Sequence, residues 1–229
     1  MKTIGLIGGM SWVSTAHYYE ILNREVADRL GGVHSAPVIV HSVDFAPIEA
    51  MQRDNDWVSA GAELARIARS LEAQGAGLIG LATNTMHICA AAITAAITVP
   101  FVHIAAPTAQ ALLADGIETV GLLGTRFTME KRFYIDELER RGLKVMVPDV
   151  GITNLNGIIY EELVKNIVRD ESRRTYVDAI TRLQGRGAQA VILGCTEIGL
   201  LIDDSVSPLP TYDTTDLHAR ALVAAAMVE

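Results

Sequence analysis

The chain has 229 residues, of which half are hydrophobic and a fifth are charged, and its formal net charge is −8. This composition is typical of one or two packed domains, and the acidic balance argues against nucleic acid as a partner because it repels a phosphate backbone. No apolar run reaches the roughly 18 residues of a membrane-spanning helix, and the two cysteines are too few for a disulfide framework, so we expect a cytoplasmic protein without a membrane partner.

The first half of the chain alternates short runs rich in Ile, Val and Leu with longer amphipathic stretches. The short runs predict buried strands and the amphipathic stretches predict helices. Because the first run starts at residue 3, the N terminus predicts a strand and not a secretion signal. The predicted strands cover residues 3–7, 37–42, 78–81 and 101–104, and the predicted helices cover residues 14–30, 57–74 and 86–96.

The second half repeats this alternation. It predicts strands over residues 119–123, 144–147, 190–193 and 208–213, and helices over residues 129–141, 156–168, 172–186 and 214–227. Strands that alternate with helices form parallel sheets with helices on both faces. The sequence therefore predicts the α/β class.

The two halves resemble each other in three places that occur in the same order. The matching pairs are residues 3–9 with 119–125, Leu71 and Gly75-Ala76 with Leu183 and Gly187-Ala188, and residues 80–85 with 193–197. Any two βα units share an apolar strand and a glycine, but three ordered matches favour a duplication. Duplicated units usually turn their functional edges toward each other. We therefore expect two pseudo-symmetric domains, each a mostly parallel sheet flanked by helices, with the active site in the cleft between them.

Small and polar residues follow four of the predicted strands, where ligands bind in open α/β sheets. Helix N termini at this edge favour an anion, and hydroxyl and amide side chains can hydrogen-bond a carboxylate. A phosphate is the alternative ligand, but residues 5–9 do not fit the G-x-G-x-x-G pattern of dinucleotide-binding proteins. The six histidines are scattered, so we expect no metal. The four segments are residues 8–11, 83–85, 124–125 and 195–197.

Cys195 is the strongest single candidate for a catalytic residue. Its thiol follows a predicted buried strand at the start of a predicted helix, where the helix dipole stabilises a thiolate. We therefore expect a lowered pKa and a base that is available at neutral pH. Cys89 lies in the apolar run Ile88-Cys89-Ala90-Ala91, which predicts a small buried hydrophobe without a catalytic role.

Three segments carry a resemblance to a known family: Gly8-Gly9-Met10-Ser11-Trp12, Thr83-Asn84-Thr85-Met86-His87 and Gly194-Cys195-Thr196-Glu197. They resemble the aspartate/glutamate racemase family, and the resemblance spans the whole chain. Within the family the chain is most similar to broad-specificity or L-aspartate/glutamate racemases, in which threonine replaces the first cysteine. The resemblance implies a homodimeric enzyme that uses neither pyridoxal phosphate nor metal. It also implies a first domain of residues 1–100 with 208–229 and a second of residues 101–207.

The resemblance further implies a two-base reaction, in which one group removes the Cα proton of an acidic amino acid and another delivers a proton to the opposite face. The two positions fall at Thr83 and Cys195, and because a threonine hydroxyl is a weak acid and a weak base, we expect unequal turnover in the two directions. Glu197 orients a base or the substrate ammonium, or caps its helix. The substrate-binding candidates are Met10, Ser11, Asn84, Thr85, Thr125 and Thr196 for one carboxylate, and Gln52, Arg53 and Lys165 for the second.

Two other interpretations of the residues stay open. A related single-cysteine lyase or isomerase, of the malonate decarboxylase or maleate isomerase type, would use the same thiol for a different reaction. An amino-acid-binding protein with weak or no catalysis would have Thr83 as its lost base. Pyridoxal phosphate fits poorly, because none of the few lysines lies in a Schiff-base motif.

Overall fold

The structure is a computed structural model that describes residues 1–228. The chain divides into two compact units, Met1–Ile104 with His218–Glu229, and Ala105–Leu217. Residues 208–217, which the family resemblance implies for the first domain, lie in the second unit, where the strand within residues 208–213 pairs in the sheet, and residues 101–104, which it implies for the second domain, lie in the first unit. Within the described residues, every helix is too short or too polar to span a membrane.

The first unit contains a three-stranded parallel sheet of order β2-β1-β3. Its strands are β1 (Ile4–Gly8), β2 (Val38–Ser42) and β3 (Leu78–Leu81), and its helices are α1 (Trp12–Leu30), α2 (Phe45–Arg53), α3 (Trp57–Ala73) and α4 (Ala90–Thr94). Residues Ile4 and Leu6 of β1 pack with α1 on one face, and Ile7 packs with α3 on the other. This alternation follows from the period of two residues in a strand.

The second unit contains a four-stranded parallel sheet of order β5-β4-β6-β7. Its elements are α5 (Ala105–Ala114), β4 (Thr119–Gly124), α6 (Arg126–Glu130), α7 (Arg132–Glu139), β5 (Lys144–Met146), α8 (Ile152–Glu161), α9 (Asp170–Gly185), β6 (Ala190–Gly194) and β7 (Thr211–Asp213). The last helix, α10 (Thr214–Met227), begins in this unit and continues in the first from His218. Leu123, Val191 and Leu193 form a core with α8 and α9. Two parallel sheets flanked by helices confirm the predicted α/β class.

The duplicated motif has the same local structure in both units. A Cβ on Gly5 of β1 would lie 3.2 Å from the Leu71 Cβ, and a Cβ on Gly121 of β4 would lie 2.9 Å from the Leu183 Cδ1. A Cβ on Gly5 would come closer still to the Ile79 Cδ1, at 2.7 Å, so each glycine lies in a close-packed place next to the matching helix leucine. Each helix is then followed by a glycine with positive φ, Gly75 at 96° and Gly187 at 101°. The matched glycines and leucines of the sequence thus have matched packing roles.

Several predicted boundaries were wrong for local reasons. The strand predicted over residues 101–104 is reduced to a single bridge between Ile79 and Phe101, because the chain enters α5 at Ala105. The helix predicted over residues 86–96 begins as a 3₁₀ turn, Thr85–Cys89, and becomes α-helical only at Ala90. The helix predicted over residues 129–141 is broken at Lys131, whose backbone is extended.

Candidate active site

The first unit brings two of the candidate segments to one edge of its sheet. Strands β1 and β3 are parallel neighbours with Ile7 opposite Leu81, and the Ala82 N–H donates to the Ile7 carbonyl oxygen at 2.9 Å. The residues that follow the two strands, 9–11 and 83–85, therefore leave the sheet side by side. This is the edge at which parallel α/β sheets bind ligands.

The loop after β1 is held by a close approach of backbone to helix α1. A Cβ on Gly8 would lie 2.5 Å from the Thr15 Cγ2, and a Cβ on Gly9, whose φ is 93°, would overlap the Val43 carbonyl oxygen. Only glycine fits at either position. The Gly9 N–H donates to the Thr15 Oγ1 at 2.8 Å, and Ser11 caps α1 by accepting from the Ser14 N–H at 3.3 Å.

The loop after β3 is buried and fixed by a histidine. Thr83, Asn84 and Thr85 are all buried. The Thr83 N–H donates to the Leu81 carbonyl oxygen at 2.9 Å, and the Nδ1 of His87 lies 2.8 Å from the Thr83 carbonyl oxygen. His87 is the last residue of the motif Thr83-Asn84-Thr85-Met86-His87, and the sequence predicted no role for it. Its ring is the partner that the Thr83 backbone needs once the strand has ended.

Gln52 and Arg53 have different surroundings although they are neighbours in α2. Gln52 is buried, and its Nε2 donates to the Met86 Sδ at 2.9 Å, next to the loop after β3. The Arg53 side chain is 64% exposed and its Nη1 lies 2.9 Å from a carboxylate oxygen of Glu49. The structure therefore brings Gln52, but not the Arg53 guanidinium, to the candidate segment.

The second unit brings its own two segments together in the same way. Strands β4 and β6 are parallel neighbours with Gly124 opposite Gly194, and a Cβ on Gly124 would lie 2.8 Å from the Gly194 carbonyl oxygen. The paired glycines let the strand ends approach closely. Thr125 and Cys195 follow them directly, and Thr125 caps α6 by accepting from the Thr128 N–H.

Cys195 donates its thiol hydrogen to the carboxylate of Glu197. The distance from the Cys195 Sγ to the Glu197 Oε2 is 3.1 Å, and the Thr196 Oγ1 donates to the same oxygen at 2.6 Å. Two donors on one oxygen fit an ionised carboxylate. The side chain of Glu197 therefore contacts the thiol, and no side-chain hydrogen bond caps the following turn.

The expected low pKa of Cys195 was wrong. The residues that follow form a short 3₁₀ turn, Ile198–Leu200, and not the predicted helix. Burial raises the pKa of the Cys195 thiol well above its ordinary value, and the negative charge and hydrogen bond of Glu197 raise it further. The residue is 9% exposed. At neutral pH the sulfur therefore carries its proton.

Asp213 also acts on the Cys195 thiol, although it was not among the residues predicted for the site. It ends β7 opposite Leu193, and its charge also raises the pKa of Cys195. One of its carboxylate oxygens accepts the Thr215 N–H at 2.7 Å, at the start of α10. The signal was available, because Asp213 is a polar residue at the end of a predicted strand.

Lys165 lies in a 3₁₀ turn, Leu163–Lys165, that follows α8, and its side chain is exposed. The structure gives it no bond to the strand-end segments among the described residues. Within residues 1–228, no group of three or more His, Cys, Asp or Glu side chains is arranged to hold a metal ion.

Comparison with known proteins identifies the family. The sequence profile of the family described as Asp/Glu/Hydantoin racemase matches residues 7–222, which is most of the chain. The chain belongs to the Asp/Glu/Hydantoin racemase family. The racemase resemblance of the three segments is therefore confirmed, and with it the predicted enzyme class, a racemase.

Three relatives illustrate the similarity. A protein from Yersinia pestis, assigned provisionally as an Asp/Glu racemase, has a crystal structure that is 46% identical, covers 100% of both chains and has a TM-score of 0.94. An aspartate racemase homologue from Pyrococcus horikoshii OT3 is 33% identical over 100% of both chains, with a TM-score of 0.87. The broad-specificity amino-acid racemase RacX of Bacillus subtilis (strain 168) is 25% identical over 156 residues, which cover 68% of this chain and 67% of RacX.

Proposed function

We propose that this racemase interconverts the enantiomers of an acidic amino acid, aspartate or glutamate, by proton transfer at Cα without a cofactor. The observation that carries the proposal is the thiol–carboxylate hydrogen bond between Cys195 and Glu197 at a strand end, in a chain of the Asp/Glu/Hydantoin racemase family. Removal of a Cα proton is difficult, because the adjacent carboxylate has to take up the charge. Hydrogen-bond donors on that carboxylate therefore have to accompany the base.

Cys195 is the proposed proton carrier for the L enantiomer. In the resting protein its proton is on sulfur, so the base forms when the thiol proton moves to Glu197, which gives Cys195 thiolate and Glu197 carboxylic acid. The thiolate then takes the Cα proton and becomes a thiol again. In the reverse direction the thiol donates its proton to the carbanion. A base and an acid in direct hydrogen-bond contact support this exchange.

Thr83 is the proposed carrier on the opposite face. Its hydroxyl is a weak acid and base, which makes this side the slower one. The two enantiomers have equal free energies in water, so kcat/KM has to be the same in both directions. The difference between the two proton-transfer steps that the sequence predicts therefore cannot appear as a difference in kcat/KM. We expect the L enantiomer to exchange its Cα proton with solvent, through Cys195 and Glu197, faster than it inverts.

The proposed substrate contacts follow the same strand ends. The α-carboxylate would be bound by hydroxyl and amide groups and by the loop after β1; the residues are Met10, Ser11, Asn84, Thr85, Thr125 and Thr196. Gln52, Arg53 and Lys165 are the proposed contacts for the side-chain carboxylate. The burial of Gln52 beside Met86 supports Gln52 best, because Arg53 would first have to leave Glu49.

Deuterium exchange tests the proposal. Incubation of L-aspartate and L-glutamate with the enzyme in heavy water should introduce deuterium at Cα, observed by proton NMR. Cys195→Ser should abolish the exchange, whereas Cys89→Ser should keep it, because the thiol of Cys89 contacts the Trp57 carbonyl oxygen and not a carboxylate. Decarboxylation or double-bond isomerisation without exchange would favour the single-cysteine lyase or isomerase. Tight binding of an amino acid without any reaction would favour an amino-acid-binding protein with weak or no catalysis.

Location and assembly are further parts of the proposal. The cysteine usage favours the cytoplasm, and the family resemblance favours a homodimer. Size-exclusion chromatography with light scattering measures the second directly. A monomer at working concentration would remove the dimer from the proposal without affecting the chemistry.

A further inference from the structure

The first unit contains a cluster of histidines that the proposed proton transfers do not use. The ring centroid of His87 lies 4.6 Å from that of His103 and 5.9 Å from that of His218. His87 is 2% exposed and His218 is fully buried. Both nitrogens of a buried imidazole need a hydrogen-bond partner. The partners of His87 and His218 show which nitrogen of each ring carries the hydrogen.

The hydrogen bonds of His87 determine its tautomer. The backbone N–H of Ile104 points to the Nε2 of His87 at 3.1 Å. A backbone N–H can only donate, so Nε2 is the acceptor and the ring hydrogen is on Nδ1. The Nδ1–H then donates to the Thr83 carbonyl oxygen at 2.8 Å. Burial, with the neighbouring His103 and His218, lowers the pKa of His87 well below its ordinary value, which keeps the ring neutral.

His218 is held in the opposite sense. Its Nε2 donates to the Val102 carbonyl oxygen at 2.8 Å, and its Nδ1 accepts from the Tyr18 hydroxyl at 2.9 Å. Both rings therefore tie residues 102–104 to other elements of the first unit. Of the two rings, it is His87 that also reaches the loop carrying Thr83.

We propose that His87 is a positioning residue for the racemase reaction, which orients the Thr83 hydroxyl through the hydrogen bond from its ring Nδ1–H to the Thr83 carbonyl oxygen. The inference rests on the proposed function, because it assumes that Thr83 carries a proton. Thr83 is the second residue after β3, so its carbonyl needs a partner outside the sheet. A displacement of about 1 Å in a reacting group can cost about 100-fold in rate, so the ring bond is worth a large effect.

The carbonyl of Cys195, the proposed proton carrier in the second unit, has a different kind of hydrogen-bond partner. There the Cys195 carbonyl oxygen accepts from the Ile198 N–H at 3.1 Å, within its own turn. The carbonyl on the thiol side is thus bonded by a backbone N–H three residues further on, and the carbonyl on the hydroxyl side by an imidazole four residues further on. Loss of the His87 bond should therefore slow the step at Thr83 and leave the step at Cys195 unchanged.

Two substitutions at position 87 separate the two hydrogen bonds. An asparagine amide can occupy the place of Nδ1 and still donate to Thr83, whereas a glutamine amide reaches the place of Nε2 and can accept from Ile104 but not donate to Thr83. His87→Asn and His87→Gln thus keep one bond each, and both remain uncharged. His218→Gln is the control, because His218 lies in the same cluster but does not bond Thr83.

The readout is the ratio of inversion to Cα exchange with retention, starting from the L enantiomer in heavy water. Retention needs only Cys195, and inversion also needs Thr83. We expect His87→Gln to lower the ratio by about tenfold to 100-fold, and His87→Asn and His218→Gln to keep it within about twofold of the unmodified enzyme. KM should stay constant. An equal fall of both rates in His87→Gln, or an unchanged ratio, would overturn the positioning role.

Nitrogen NMR of the unmodified enzyme gives a second readout that does not depend on variant folding. The ¹⁵N shifts of His87 should report hydrogen on Nδ1. Hydrogen on Nε2 would contradict the proposed bond and overturn the inference. Complete absence of exchange in the unmodified enzyme is a separate outcome, because it would remove the proposed function first and the role of His87 with it.

Discussion

The substitution Glu197→Gln tests the resting state of the thiol. The introduced amide oxygen can still accept the Cys195 hydrogen bond, but the substitution removes the negative charge 3.1 Å from the sulfur. That charge and its hydrogen bond both raise the pKa of Cys195 in the unmodified protein. The pKa of Cys195 should therefore fall in the variant. Burial remains, so the pKa should stay above that of a free cysteine.

The magnitude follows from the hydrogen bond. A hydrogen bond to a charged group contributes about 1.5–3 kcal/mol and one to a neutral group about 0.5–1.5 kcal/mol. The difference of about 1 to 1.5 kcal/mol corresponds to a fall of about one pKa unit. Because the amide cannot take up the thiol proton, we also expect exchange at Cα to slow by about 10²–10⁴-fold.

The assay is the ultraviolet absorbance of the thiolate during a pH titration. A Cys89→Ala background removes the second thiol, whose pKa burial raises to about 11. The control is Glu171→Gln, which changes an exposed glutamate in the first turn of α9 and should leave the titration unchanged. A Cys195 pKa that is unchanged or higher in Glu197→Gln would refute the thiol–carboxylate pair.

Three further predictions concern the hydroxyl, the buried histidines and the duplicated packing. Thr83→Cys should raise inversion relative to exchange with retention, because a thiol is a better proton carrier than a hydroxyl; chiral chromatography with NMR measures this, and an unchanged ratio would argue against a role for Thr83. Burial lowers the pKa of His218 from 6.5 to about 4, so the unfolded chain takes up this proton first as the pH falls. The contribution of His218 to stability should thus be constant above pH 6.5 and fall by roughly 3 kcal/mol down to pH 4, so His218→Gln should show a smaller fall than the unmodified protein; denaturant unfolding at several pH values measures it, and an equal slope in both proteins would contradict it. Gly5→Ala and Gly121→Ala should each cost about 1–3 kcal/mol by overpacking, the first mainly against Ile79 and Ala76 and the second against Leu183, whereas Gly157→Ala, with open space around its Cα, should not destabilise; thermal unfolding distinguishes these outcomes.

The sequence predicted the sheets well because buried parallel strands have a strong local signal. Strands β1, β4 and β6 are continuous apolar runs that end in glycine, and all their residues but Thr119 are buried. Helix α2 was not predicted, although Asp44 caps it by accepting from the Ala46 N–H. Its single cap and short length give a weak periodic signal.

The sequence predicted which segments lie at the strand ends, but not which side chains contact each other there. Adjacent residues of a helix face different directions, so Gln52 is buried while Arg53 is exposed, and their order in sequence does not reveal this. The pKa of Cys195 was predicted in the wrong direction, because it depends on burial and on the side-chain position of Glu197. Such electrostatic effects arise from tertiary structure, which a motif does not contain.

The most direct test of the central claim is the optical outcome of the reaction. Purified enzyme should convert pure L-aspartate or L-glutamate into a mixture of enantiomers that approaches one to one, as measured by circular dichroism, and Cys195→Ser should leave the L enantiomer unchanged. A substrate that keeps its optical purity over prolonged incubation with the unmodified enzyme, or a Cys195→Ser variant that racemises at the same rate, would contradict the account.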